Sequence, residues 1–81
     1  MESLIARLMD NDRDLHYGKI LADDWRYFLE KRDDPSVPKS SVCFLQGKVC
    51  GILAMLFEVH LIEAGEHINL IDEVFNAGRC V

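Results

Sequence analysis

The sequence predicts an α+β fold in which two N-terminal helices pack on a three-stranded antiparallel meander. Three observations favour this fold over its alternative, an all-α bundle of three or four helices. Apolar residues recur at helical spacing in the first part of the chain, two prolines (Pro35 and Pro38) interrupt it, and glycines divide the apolar segment that follows. All 81 residues form one domain, with a helical part at 3–34, a loop at 35–41 and a strand part at 42–76.

The first amphipathic helix starts near Ser3, where an apolar face begins with Leu4 and continues to Leu8. Acidic residues at 10–14 interrupt this apolar spacing, so we expect the helix to break or kink there. Gly18 is a predicted C-terminal stop, because glycine readily adopts the left-handed conformation that ends many helices.

The second helix follows that glycine, with Asp23 or Asp24 as its N-cap. Trp25 and Phe28 lie on one face of this helix, which predicts that both belong to the core. Pro35 sets the end of the helix, since proline disfavours helical backbone in the residue before it.

The apolar segment after the loop is open to two interpretations. As strands, residues 42–45 and 48–50 flank a two-residue turn at Gln46 and Gly47. As one helix, the segment contains Gly47 and Gly51, each of which costs about 1 kcal/mol relative to alanine. This cost favours the strands, and a third strand follows from the turn residues near position 65.

Charge and hydropathy argue against several functional classes. Fourteen acidic and nine basic residues give a net charge of −5 without a basic patch, which argues against nucleic-acid binding. The most apolar stretch, 49–57, is about half the length of the twenty residues that span a membrane. No signal-peptide pattern is visible near the first residue, so we expect a cytoplasmic protein without a membrane partner.

The three cysteines, Cys43, Cys50 and Cys80, are expected to be reduced thiols. In the predicted hairpin Cys43 faces Cys50 within disulfide reach, so mild oxidation is expected to link them. The same two cysteines, with His60 and His67, are too widely spaced for a typical zinc site. We therefore predict no metal site.

The order of these elements resembles the N-terminal half of a GNAT-type N-acetyltransferase, and the glucosamine-phosphate acetyltransferase branch most of all. Residues 47–51 are similar to the glycine-containing second strand of that family, and the continuation at 57–75 is similar to its long third strand, the turn after it and a fourth strand. Residues 71–74 (Ile-Asp-Glu-Val) are similar to an acidic element in its fourth strand. The resemblance covers residues 3–76.

The resemblance implies roles for two pairs of side chains. Asp72 or Glu73 would act as the general base, and on a strand the two side chains point to opposite faces, so that one faces the chemistry. Tyr17 and Tyr27 would border the acceptor-substrate site, which lies beside the first two helices in that family. If the protein is an enzyme, it is therefore an N-acetyltransferase.

The resemblance leaves the cofactor site incomplete. In the family, backbone amides at a helix N-terminus bind the pyrophosphate of acetyl-CoA through a Gln/Arg-x-x-Gly-x-Gly/Ala motif. Here Gly78 and Arg79 stand in reversed order where that motif is expected. Only the strand backbone of Val74, Phe75 and Asn76 remains to pair with the pantetheine amides. We expect no cofactor, and acetyl-CoA only if a missing half is supplied.

Two functions from different classes follow. The first is a truncated acetyltransferase-like module that acts through a partner chain or as a degenerate binding domain. The second is a small, acidic, non-catalytic protein-interaction module, such as an inhibitor or adaptor from a mobile element. In either case residues 68–75 form an exposed strand edge, which predicts a homodimer through strand pairing and leaves a surface for a protein partner.

Overall fold

The computed structural model describes residues 1–78, and in this range it contains four α-helices and no strand. The helices are α1 (Glu2–Met9), α2 (Leu15–Arg32), α3 (Lys39–Glu58) and α4 (Ala64–Ala77). The predicted α+β fold is therefore wrong, and the alternative all-α bundle agrees with the structure. The predicted strand part, 42–76, lies in α3, α4 and the turn between them.

The four helices form an up-down-up-down bundle. α2 packs against both α1 and α3, and α4 packs against α3. α1 approaches α4 through two ion pairs: Arg7 with Glu66 at 2.8 Å, and the Met1 ammonium with Glu73 at 2.7 Å. The bundle thus has two layers, α1 with α2 and α3 with α4.

Apolar side chains from every helix meet between these layers. The largest fully buried side chains are Leu8, Leu21, Phe28, Val49, Leu53, Leu56 and Val74. Burial of one such side chain stabilises the fold by about 1.5–3 kcal/mol. Trp25 is also buried, with its ring centroid 5.7 Å from that of Phe28, so the predicted core face of the second helix is confirmed.

The break after the first helix is confirmed, but the predicted stop at Gly18 is wrong. α1 ends at Met9 and α2 begins at Leu15, so residues 10–14 connect them. Gly18 is a buried residue within α2. A Cβ atom there would lie 2.7 Å from Met9 Cγ and 3.1 Å from both Leu8 Cβ and the Met9 backbone nitrogen. Gly18 therefore permits close contact between α1 and α2.

The end of α2 agrees with the prediction, but its predicted N-cap does not. The helix ends at Arg32, before Pro35 as predicted. Asp23 and Asp24 lie well inside α2 and do not cap it. The predicted second helix is in fact the C-terminal part of one longer helix, because Gly18 does not end it.

The predicted hairpin is wrong, because α3 is one continuous helix that includes Gly47 and Gly51. The helix places Val49, Leu53 and Leu56 on one buried face. Burial of these side chains offsets the helix cost of the two glycines, since tertiary packing supplies most helical stability in proteins.

The cysteines also differ from the prediction. Seven residues along a helix separate Cys43 from Cys50 by about 10 Å, which is beyond disulfide reach. Cys50 has a free, half-buried thiol, whereas Cys43 is disulfide-bonded, contrary to the expectation of reduced thiols. Cys80 lies outside the described residues.

α3 ends in a Schellman motif, and the turn to α4 spans residues 59–63 rather than the predicted turn near position 65. The Leu61 N–H donates to Leu56 O at 2.9 Å, and the His60 N–H donates to Phe57 O at 3.1 Å. His60 occupies the left-handed position, with φ of 64°. Such a conformation costs a residue with a Cβ about 1–2 kcal/mol.

Gln46 joins α3 to the C-terminal end of α4. This buried side chain donates from Nε2 to Val74 O at 3.1 Å and to Gly78 O at 2.8 Å. Arg32 of α2 donates to Ala77 O in the same turn. The carbonyl groups of a final helical turn lack intrahelical partners, so these two side chains satisfy them.

Candidate functional site

The structure places the two predicted general bases on the exposed side of a helix. Asp72 and Glu73 lie in α4, where neighbouring residues do not point to opposite faces as they do in a strand. Glu73 Oε1 accepts a hydrogen bond from the Met1 ammonium at 2.7 Å, and its carboxylate is therefore engaged in an ion pair. Asp72 is exposed. The arrangement expected from the resemblance, one acid inside beside a reacting group, does not form here.

The backbone expected to pair with pantetheine is helical. Val74, Phe75 and Asn76 lie in the last turns of α4, where their backbone groups belong to the helix. Val74 is fully buried and its carbonyl accepts from Gln46. These residues therefore present no strand edge, and the predicted homodimer through strand pairing has no strand on which to form.

The two tyrosines lie on α2 but in separate grooves. Ten residues separate them, or about 15 Å along the helix axis. Tyr17 lines a groove of about 510 Å³ with Asp14 and His60. Tyr27 lines another of about 440 Å³, where the Lys31 ammonium lies 5.4 Å from the centre of its ring. The structure does not bring either tyrosine together with the two acids on α4.

The described residues offer little for nucleophilic or metal chemistry. Burial raises the pKa of the Cys50 thiol, the opposite of what a reactive thiolate requires. Among residues 1–78, no group of three histidine, cysteine or acidic side chains is placed to hold a metal ion.

Sequence reasoning missed the exposed side of α3. Opposite its buried face, the helix presents three exposed small residues, Gly47, Gly51 and Ala54, and on the same side the exposed side chains of Phe44 (70%) and Met55 (38%). A Cβ atom added at either glycine would meet no atom within 4 Å. These three residues, called the α3 valley below, leave the backbone of α3 close to the surface along about two helical turns.

Large apolar side chains stand beside this valley on α4. Ile68 is 62% exposed and Phe75 is 56% exposed. They are seven residues apart, close to two helical turns, and so share one face of α4, called the α4 ridge below. A phenylalanine exposed to this extent leaves about 100 Å² of apolar surface in water.

The valley and the ridge lie side by side at matching heights. Gln46 donates to the carbonyl of Val74, which places Phe75 and Gly47 at about the same height along the bundle axis. At the other end the rings of Phe57 and His67 stack with centroids 5.0 Å apart. Because α3 and α4 are antiparallel, the residues just beyond that stack, Ala54 and Ile68, lie within about 3 Å of each other along the bundle axis. Valley and ridge together are called the outer face.

Charged side chains lie along the flanks of the outer face rather than within it. Lys48, on the flank of α3, is about half exposed and pairs with Asp24 of α2 at 3.3 Å. Asp72 is exposed on the other flank, midway between Ile68 and Phe75. The outer face is therefore an apolar surface with a cation along one edge and an anion along the other.

α3 is also unusually hydrophobic for a helix that is largely exposed. Among residues 1–78 it is the one helix long and apolar enough to cross a membrane by length and composition, with a mean hydropathy of 1.6 over an 18-residue window. Only 28% of that window is buried in the bundle. The sequence signal was a segment apolar on all sides, which the strand interpretation concealed.

No protein-family model matches this chain, and no match was found among the curated proteins or the solved structures. These comparisons neither support nor refute the resemblance to GNAT-type acetyltransferases.

Proposed function

We propose that this chain is a small protein-interaction module that binds an apolar helix of a polypeptide on its outer face. The observation that carries the proposal is the exposure of Ile68 and Phe75 beside the α3 valley. Soluble monomers rarely expose contiguous apolar patches of more than a few hundred Å², and such patches mark binding surfaces.

The shape of the outer face favours a helix as the bound element. The valley and the ridge both run along helix axes, and helices pack by placing ridges of side chains into grooves between them. Small residues such as Gly47 and Gly51 allow the backbone of a second helix to approach closely. The net charge of −5 disfavours an anionic membrane surface as the alternative.

The acetyltransferase-like function remains a hypothesis that rests on the resemblance alone. Its general base and its pantetheine-binding edge both depend on a strand at 71–76, and this segment is helical. The cytoplasmic location also remains a prediction. The interaction function depends on neither point.

Photo-crosslinking tests the proposed function. A benzoylphenylalanine in place of Phe75, in cells that express the chain, is expected to form a covalent adduct with a polypeptide helix, identified by sequencing the joined peptides. The control carries the same residue at Ala6, which is exposed on α1, away from the outer face. Equal yields at the two positions, or no adduct at position 75, would contradict the proposal.

A further inference from the structure

We infer that the helix bound on the outer face belongs to a second copy of this chain, so that two outer faces pack together in a two-fold symmetric homodimer. The inference rests on the proposed function and names its partner. In this dimer the α4 ridge of each copy fills the α3 valley of the other.

The spacing of the residues supports this arrangement. Gly47 and Ala54 are seven residues apart, as are Ile68 and Phe75, so valley and ridge have the same length of about 10 Å. A two-fold axis parallel to the helices exchanges the positions of α3 and α4 without changing their heights. Phe75 of one copy then lies opposite Gly47 of the other, and Ile68 lies opposite Ala54.

The charges on the two flanks select the same symmetry. When α4 of one copy lies over α3 of the other, Asp72 faces Lys48 across the edge of the interface, and symmetry repeats this pair. A two-fold axis perpendicular to the helices would instead pack ridge on ridge and bring Asp72 near Asp72 of the other copy. Repulsion between these like charges disfavours that arrangement.

The area available fits a weak dimer. Two helices side by side are about 20 Å wide, and the 14 residues of α4 extend about 21 Å, which gives about 400 Å² per copy as a flat projection. Two copies therefore bury about 800 Å², below the roughly 1,200–2,000 Å² of stable interfaces and within the range of weak, transient ones. We expect a dissociation constant in the micromolar range.

Sedimentation equilibrium with variants of the outer face tests the inference. Phe75→Glu is expected to weaken dimerisation at least 100-fold, because it places a carboxylate in the centre of the interface twice. Gly47→Leu is expected to weaken it at least tenfold by filling the valley, although a Cβ there meets nothing within the monomer. Ala6→Glu, which adds the same charge on α1, is expected to leave the dimer unchanged. Circular dichroism checks that each variant folds. If Phe75→Glu does not fold, the dissociation constant of Gly47→Leu tests the inference instead.

Exchange of the flanking charges tests the symmetry. Lys48→Glu and Asp72→Lys are each expected to weaken dimerisation about tenfold at low salt, since each places two pairs of like charges across the interface. The double variant restores the opposite charges and is expected to recover dimerisation. It does not restore the pair of Lys48 with Asp24 in the same chain, so recovery reports contact between copies. Failure of the double variant to recover would contradict the proposed axis.

Three other outcomes would overturn the inference, and one of them spares the proposed function. A wild-type chain that stays monomeric, while benzoylphenylalanine at position 75 still crosslinks a different polypeptide, contradicts the homodimer alone. A monomeric chain without any adduct contradicts both proposals. A monomer that sediments with phosphatidylcholine or phosphatidylserine vesicles, and loses this binding in Phe75→Glu, assigns the outer face to a lipid surface.

Discussion

α2 and α3 are the two long helices of the bundle, and they differ most on the side that faces away from the core. The exposed side of α2 carries charged residues: Lys19, Asp23, Arg26 and Glu30. The exposed side of α3 carries the small residues of the α3 valley together with the exposed apolar side chains of Phe44 and Met55. Water accounts for the charged side of α2, whereas no contact within residues 1–78 covers Gly47 or Gly51 of the α3 valley.

The glycines of the two helices show the same difference. Gly18 of α2 lies where any Cβ would meet α1, so a contact within the chain requires it. Gly47 and Gly51 of α3 lie in open space, where alanine would fit and would favour the helix. Gly47 and Gly51 weaken the helix, and no contact within the described chain requires a glycine at either position. A contact with another molecule is the simplest explanation for them.

Leucine substitutions at Gly18 and Gly51 test this difference between the glycines, and the substitution at Gly18 is expected to have the largest effect on stability. Gly18→Leu is expected to lower the free energy of unfolding by about 3 kcal/mol, because the new side chain overlaps Met9 and the backbone of α1. Gly51→Leu is the matched control, and in the monomer it should cause no loss. Urea denaturation at low protein concentration measures both, and equal losses would remove the distinction between the two helices.

The polar contact between α3 and α4 gives the next largest effect. Gln46→Met keeps the side-chain volume but removes the donor to Val74 O and Gly78 O, so we expect a loss of about 1–3 kcal/mol in unfolding free energy. Faster amide hydrogen exchange in the last turn of α4 should accompany the loss. Unchanged stability and exchange would mean that water replaces the glutamine without cost.

Alanine at the exposed glycines should act in the opposite direction. Gly47→Ala and Gly51→Ala are each expected to raise the unfolding free energy of the monomer by about 1 kcal/mol, through helix propensity alone. Thermal melting at low concentration provides the measurement. Destabilisation by either alanine would show that the glycine serves a contact within the chain, as Gly18 does.

A smaller gain is expected where α3 ends. His60→Gly should stabilise the protein by about 0.5 kcal/mol, because glycine adopts the left-handed conformation without steric cost but loses more entropy on folding. Val59→Gly, one residue earlier and without positive φ, is the control and should destabilise. A loss of stability in His60→Gly would indicate that the imidazole makes a stabilising contact.

The smallest effect concerns the loop between α2 and α3. Hydrogen bonds from the Ser36 hydroxyl and backbone N–H to Asp34 hold the pKa of that carboxyl below its usual value. A folded-state pKa that is depressed stabilises the fold above the unfolded pKa, and this contribution is lost as pH falls through the folded pKa. Ser36→Ala should raise the pKa of Asp34 in a titration followed by NMR; no change would contradict the assignment.

The N-terminal half could be predicted from sequence because its signals are local. The apolar spacing of α1, the acidic break at 10–14 and the stop before Pro35 each act within a few residues. The helix stop predicted at Gly18 is wrong because the role of this glycine depends on contact with Leu8 and Met9 of another helix, which no local pattern reveals.

The C-terminal half could not be predicted in the same way. The helix at 39–58 forms despite two glycines because it buries residues against distant partners, as Gln46 does with Val74, 28 residues away. The error also concealed the outer face. Ile68 and Phe75, seven residues apart, lie on opposite faces of a strand but on the same face of a helix.

The central claim is that the outer face of α3 and α4 binds a second copy of the chain. Sedimentation equilibrium of the wild-type chain beside Phe75→Glu tests it most directly. The account predicts that the wild-type mass rises from 9.3 kDa toward twice that value over the micromolar range, while the folded variant stays at 9.3 kDa. Equal masses for the two chains at every concentration would contradict it.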